Sequence, residues 1–229
     1  MKNNTIIGAV VVLVLVAGGI YMTVTKDKEV STVDSLTEQN VAGDASQTGD
    51  TENPNQKTMT VVSAESQATY EIDEVLRGTP THVVGTSRDI TGSIVFDTST
   101  NKVQTAEVKL DASTLKTDIA MRDGNVKKLV LKSDQPANQF ITFKTTAIEG
   151  ESLEAQKEFP VKVTGDLTIS GVTKSVIFNG MARLGLDNSL TVKASTDLTY
   201  GDFGVAVPDL PFLANVSKTV KLTVDLVAR

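Results

Sequence analysis

Apolar and polar residues alternate strictly along much of the second half of the chain. In Phe159–Ser170, one parity holds Phe159, Val161, Val163, Leu167 and Ile169. Gly165 completes this parity, and the other parity holds only polar or charged residues apart from Pro160. The runs 190–200 and 219–226 repeat the pattern. A period of two residues is typical of β-strands that bury one face, so this chain must fold around a sheet.

Shorter alternating runs lie at 68–76, 86–96, 105–110, 141–148 and 176–184. Turn residues, such as Ser170-Gly171 and Asp187–Ser189, separate neighbouring runs and favour an antiparallel meander. About eight strands can close into a barrel that holds one small ligand, and a two-sheet sandwich fits the alternation equally well. One exception is 123–131, whose helical spacing predicts a short helix that Asp123 could cap.

The N-terminus carries an uncharged apolar run, Ile6–Val24. At about 1.5 Å per residue, a helix of this length would span about 28 Å, close to the hydrocarbon thickness of a bilayer. We expect residues 1–26 to be an uncleaved signal-anchor that forms one transmembrane helix. The alternative is a signal peptide cleaved near Ala17–Gly19. Both interpretations predict an extracytoplasmic C-terminal domain, and the first predicts a single-pass protein of the cell membrane.

Residues 27–60 are rich in small polar and acidic residues and contain no aromatic residue. Such a segment buries too little apolar area to offset its ordering entropy. We therefore expect a disordered, flexible acidic linker, with the folded domain at 61–229.

The composition excludes several classes of function. A formal net charge of −6 gives no electrostatic support for nucleic-acid binding. The absence of cysteine excludes disulfides and thiolate metal sites, and the single histidine, His82, has no motif of a catalytic triad around it. We expect a binding protein rather than an enzyme, with no metal and no cofactor.

Several segments carry a family resemblance. Gly165–Lys174 reads G-D-L-T-I-S-G-V-T-K. Other matching segments, in order along the chain, are Val83–Gly85, Ile90–Asp97, Asp111–Asp118 with Arg122-Asp123, Ile141–Phe143 and Asp202–Gly204. Together they resemble the YceI-like family, lipocalin-like barrels that bind polyisoprenoid lipids. The resemblance implies an extended eight-stranded antiparallel barrel with a short helix against it and an isoprenoid chain inside.

The chain departs from the family pattern near the expected ligand head. Asn125 and Val126 stand where the family has His and Leu, and Glu74 stands where a histidine is common. If these positions contact the ligand, the head-group preference differs from that of relatives.

Inward parity and the resemblance together give twelve candidate ligand-binding residues. They are Tyr70, Ile72, Glu74, Ile94, Phe96, Arg122, Asp123, Phe143, Leu167, Phe178, Ala194 and Phe203. The small residues Gly165 and Ala194 mark where interior space is expected. Arg122 suits phosphate or carbonyl oxygens, although it could instead pair with a carboxylate. Glu74 either meets the ligand head or lies at a solvated mouth.

We therefore expect a membrane-anchored carrier that sequesters or transports a polyisoprenoid, either a quinone or a prenyl phosphate. Its partners would be that lipid and the membrane, and a homodimer is left open. The alternative is a structural or adhesion module whose interior is filled by its own side chains.

Overall fold

The computed structural model describes residues 54–229, which form a curled antiparallel sheet of eleven strands with one short α-helix. The strands are β1 Gln56–Thr60, β2 Gln67–Leu76, β3 Thr79–Ser87, β4 Ile90–Asp97, β5 Lys102–Asp111, β6 Phe140–Gly150, β7 Glu158–Ile169, β8 Val172–Leu184, β9 Leu190–Thr199, β10 Leu213–Ala214 and β11 Thr219–Ala228. Helix α1, Ala120–Asn125, continues into a π-helical turn, Val126–Val130.

Apart from the two-residue β10, the strands occupy eight positions in the sheet. β4 pairs with β1 and β3 pairs with β2, so β1–β2 and β3–β4 are two interrupted strands that lie side by side. The interruptions contact each other: Ser63 donates a 2.5 Å hydrogen bond to the carbonyl of Arg88, whose guanidinium donates to Ala64. The sequence predicted about eight strands, and these local breaks raise the count to eleven together with β10.

The pairing runs from β4 through β5, β6, β7, β8, β9 and β11 to β2, and β2 also pairs with β3. At one end β1 also reaches the last strand, because Thr60 and Arg229 exchange backbone hydrogen bonds of 2.7 and 3.0 Å. At the opposite end the outer edge of β3 makes one bridge, between Thr86 and Lys116. The sheet is therefore joined into a circuit at the β1 end and is less completely paired at the end that carries α1.

Residues 56–60 correct the predicted linker boundary. They form β1, and Met59 is 1% exposed in a cluster with Ile94, Phe96 and Leu190. The stretch was missed because it holds one large apolar residue, too few to display alternation. Residues 27–53 of the linker and the predicted anchor, 1–26, lie outside the described residues. Within 54–229, no helix is long and apolar enough to cross a membrane.

The helix begins three residues earlier than the sequence predicted. Asp123 therefore lies within α1 and is not its cap. Its carboxylate accepts hydrogen bonds of 2.8 and 2.7 Å from the backbone N–H and the hydroxyl of Thr117. Asp123 thus fixes the turn that leads into the helix.

Two main clusters of buried side chains lie at opposite ends of the long strands. The first surrounds Met59 where β7 begins, and the second surrounds Phe203 where β7 ends. Between them the inward parity of the strands faces a cavity.

Met59 tests whether β1 belongs to the folded core. Met59→Ala should lower the free energy of unfolding by about 2–5 kcal/mol, the usual cost of deleting a buried Met side chain. The measurement is urea unfolding of the full chain. Thr58→Ala, on the exposed face of the same strand, is the matched control and should change little. Equal stability of the two variants would show that the segment adds nothing to the core.

Candidate ligand-binding cavity

A cavity of about 600 Å³ runs along the interior of the curled sheet. Its walls are the inward-facing side chains of β2 to β9 and β11, and nearly all of them are apolar. Nine of the twelve candidates lie on these walls: Tyr70, Ile72, Glu74, Ile94, Arg122, Phe143, Leu167, Phe178 and Ala194. Contact of these residues with a ligand stays a prediction.

Three candidates lie elsewhere. Phe96 is buried in the Met59 cluster, beyond a bulge in the β4–β5 ladder that shifts the register after Val95. Phe203 lies in a single 3₁₀ turn and packs in the opposite cluster. Asp123 bonds to Thr117, as described above. Phe96 keeps the inward parity of Ile94, but parity cannot distinguish a residue that lines a cavity from one that packs in a closed cluster, and it cannot anticipate a helical turn.

One wall is built from two phenylalanines and a glycine. The rings of Phe143 and Phe178 meet edge to face, with centroids 5.2 Å apart. Gly165 lies across the strand pair, and a Cβ placed there would come within 2.5 Å of the Phe143 ring. The space left by Gly165 is therefore filled by Phe143, contrary to expectation, whereas Ala194 does border the cavity.

The ring of Tyr70 likewise occupies the space beside a glycine, Gly85, which is paired with Tyr70 between β2 and β3. A Cβ on Gly85 would come within 2.1 Å of the Tyr70 ring, so only glycine lets the ring lie flat against this strand. Burial raises the pKa of the Tyr70 phenol to about 12, and the nearby carboxylates of Asp123, Glu74 and Asp118 add to the rise while Arg122 opposes it. The hydroxyl thus stays protonated at neutral pH.

A buried ion pair closes the polar end of the cavity. The Arg122 guanidinium lies 3.0 Å from Glu74 and 2.6 Å from Asp118. The side chains of Arg122 and Glu74 are only 12% and 9% exposed, whereas that of Asp118 is 77% exposed. Arg122 lies on the cavity wall, where it was expected to meet a ligand head. It is also paired with carboxylates, which was the alternative expectation. Glu74 is therefore not simply a solvated side chain.

Two segments missed by the sequence reasoning also line this end. They are residues 115–119 before α1, together with Met121 in the first turn of the helix, and residues 205–216 between β9 and β11. Ile119, Met121 and Phe212 border the cavity and are themselves exposed, which marks the mouth. The signal was present in the sequence as the apolar, proline-containing run 205–213, which no strand pattern explains.

The YceI-like domain model matches residues 25–228, nearly the whole chain. The chain belongs to the YceI-like family. A UPF0312 protein of Ectopseudomonas mendocina (strain ymp) is 25% identical over 143 residues, which cover 58% of this chain and 72% of that relative.

Two solved structures share the YceI-like fold. One is BcnA of Burkholderia cenocepacia, with a TM-score of 0.57 and 20% identity over 74% of this chain and 99% of that one. The other is a polyisoprenoid-binding domain of Saccharophagus degradans, with a TM-score of 0.58 and 13% identity over 75% and 97% of the two chains. These similarities establish the all-β, lipocalin-like fold.

The departures from the YceI-like pattern converge on the polar end. Glu74 holds Arg122, and Asn125 and Val126 both line the cavity. His82, by contrast, is exposed on β3 and bonds to Asp73 at 2.7 Å. The changed residues therefore alter the lining near the mouth rather than the deeper walls.

Tyr70 gives a test of this electrostatic environment. Because the folded pKa lies above the ordinary value of about 10, the buried neutral phenol stabilises the protein below pH 10. That contribution should be lost as the pH rises from about 10 to 12. Unfolding free energies should therefore fall more steeply over this interval in the wild type than in Tyr70→Phe.

Absorbance titration of tyrosine ionisation is the direct measurement. Tyr70→Phe should remove a component near pH 12, and the control Tyr200→Phe should retain it. The same titration curve for both variants would contradict the assigned environment of Tyr70.

Proposed function

We propose that this protein sequesters or transports a polyisoprenoid lipid in the interior of its barrel and acts by binding rather than by catalysis. The observation that carries this proposal is an apolar cavity of about 600 Å³ with charged groups confined to one end. Cavities of about 300–1,000 Å³ with apolar walls and few polar groups are typical ligand sites. A polyisoprenoid lipid matches this arrangement, because it has a long apolar chain and one polar head.

Transfer of the ligand from water to these walls supplies the binding energy. Each Å² of apolar surface removed from water contributes about 25 cal/mol, so a long isoprenoid chain needs few directed contacts. The part of the wall far from the polar end is formed by apolar side chains, including those of Ile94, Ala182 and Val192. The polar end would orient the head.

Membership of the YceI-like family and the fold shared with a polyisoprenoid-binding domain support this ligand class. A structural module would instead fill its interior with its own side chains, and the cavity argues against that alternative. We further propose that the apolar N-terminal run anchors the protein in the cell membrane, with the barrel on the extracytoplasmic side. A tethered carrier would meet its lipid at the membrane surface.

Ala194 provides the test. It is 4% exposed, faces the cavity and is opposite Gly180 on β8. Ala194→Trp should add bulk to the cavity and displace lipid, while the domain keeps most of its stability. The control is Lys193→Trp, whose side chain points outward and is 72% exposed in the wild type.

The measurement is mass spectrometry of organic extracts from natively purified full-length protein, together with thermal unfolding. If the protein carries a lipid in this cavity, we expect a bound isoprenoid in the wild type and in Lys193→Trp, and its loss in Ala194→Trp. Undiminished lipid in Ala194→Trp, with a loss of about 1–3 kcal/mol typical of overpacking, would instead indicate a filled core at this position.

A further inference from the structure

We propose that the polar end of the cavity selects lipids with an uncharged, oxygen-bearing head and rejects phosphate and carboxylate heads. This inference rests on the proposed carrier function and narrows it. Its basis is the charge balance among Glu74, Asp118 and Arg122, together with the hydrogen-bond donors that remain unused around them.

The positive charge of Arg122 is already neutralised inside the protein. One of its terminal nitrogens lies 3.0 Å from Glu74 and the other 2.6 Å from Asp118. Two carboxylates around one guanidinium leave a net negative charge, and Asp123 is a further carboxylate near Tyr70. Arg122 and Glu74 are nearly buried, so water screens them weakly, whereas the exposed Asp118 is screened more strongly. A phosphate, which carries about −1.5 to −2 at neutral pH, would be repelled.

The donors of Arg122 are also largely occupied. Nη1 donates to Asp118 and lies 3.4 Å from the hydroxyl of Thr117, while Nη2 donates to Glu74. The Tyr70 hydroxyl and the Asn125 amide also border the cavity, and neither makes a side-chain hydrogen bond within residues 54–229. A carbonyl or hydroxyl oxygen would accept from these donors without bringing a charge.

Arg77 is the remaining charged residue that borders the cavity. It is exposed at the β2–β3 turn and makes no ion pair in the described part of the chain. A phosphate held at the rim by Arg77 is therefore the competing arrangement, and the experiment must separate it from selection inside the cavity.

The probes are three lipids with the same isoprenoid chain: a polyprenol, its monophosphate, and a benzoquinone that bears this chain. Their affinities for the full-length protein in neutral detergent are measured by native mass spectrometry. We expect the polyprenol and the quinone to bind at least about tenfold more tightly than the monophosphate.

Glu74→Gln then tests the cause. It removes one negative charge and leaves the guanidinium of Arg122 less fully neutralised, so affinity for the monophosphate, relative to that for the polyprenol, should rise by about tenfold. Glu107→Gln is the matched control, because Glu107 pairs with Lys144 on the outer face and is 63% exposed. If Glu74→Gln fails to fold, Asp118→Asn removes the other carboxylate from an exposed position.

The outcomes distinguish this inference from the carrier function. If the monophosphate binds the wild type as tightly as the polyprenol, and Arg77→Gln abolishes that binding, the head is held at the rim and the selectivity is overturned while the carrier survives. An unchanged preference in both Glu74→Gln and Asp118→Asn would also overturn it. If none of the three lipids binds, the carrier function itself fails.

Discussion

The antiparallel ladders are the constraint on which the rest of this structure depends. Each strand satisfies its backbone hydrogen bonds with its neighbours, and β11 pairs with both β9 and β2, so the wall is supported along its own length. The inward side chains therefore do not have to meet across the interior to hold the sheet together. Two clusters pack at opposite ends of the strands, a smaller cluster with Val61 and Ile90 lies at the strand interruptions, and a cavity remains along the interior. The same parity that makes the sheet amphipathic makes the cavity apolar.

The ion pair between Arg122 and Glu74 places buried charges at one end of this apolar interior. Removing charges from water is costly, and their mutual attraction compensates only when hydrogen bonds also satisfy them. Arg122 meets this condition through Glu74, Asp118 and Thr117. The pair also joins α1 to β2 near the incompletely paired edge of β3. The same ion pair thus contributes charge at the mouth and holds the segment that borders it.

The sequence predicted the wall better than the places where it bends. Strict alternation identified the inward faces of β7, β9 and β11, because strand side chains alternate with a period of two. It placed Phe96 on the cavity wall, because parity alone does not separate an inward residue that lines a cavity from one buried in a packed cluster. It also treated β1 as linker, because one buried methionine in five residues gives no periodic signal. The ion pair between Glu74 and Arg122 joins positions far apart in the chain. Single-strand patterns carry no information about such a contact, and the family resemblance only marked both positions as unusual or polar.

The lining of the cavity links stability to binding. The chain has no disulfide to support it, so the packed clusters and the ladders must hold the wall in place. A lipid chain in the cavity would add dispersion contacts to inward side chains that otherwise have few partners. Because such a ligand binds the folded state and not the unfolded chain, its affinity adds directly to the free energy of unfolding. In the proposed carrier, the large apolar residues that coat the wall would therefore set most of the affinity, and the polar end would decide which heads are admitted. On this proposal affinity and selectivity reside mainly in different residues of the same cavity.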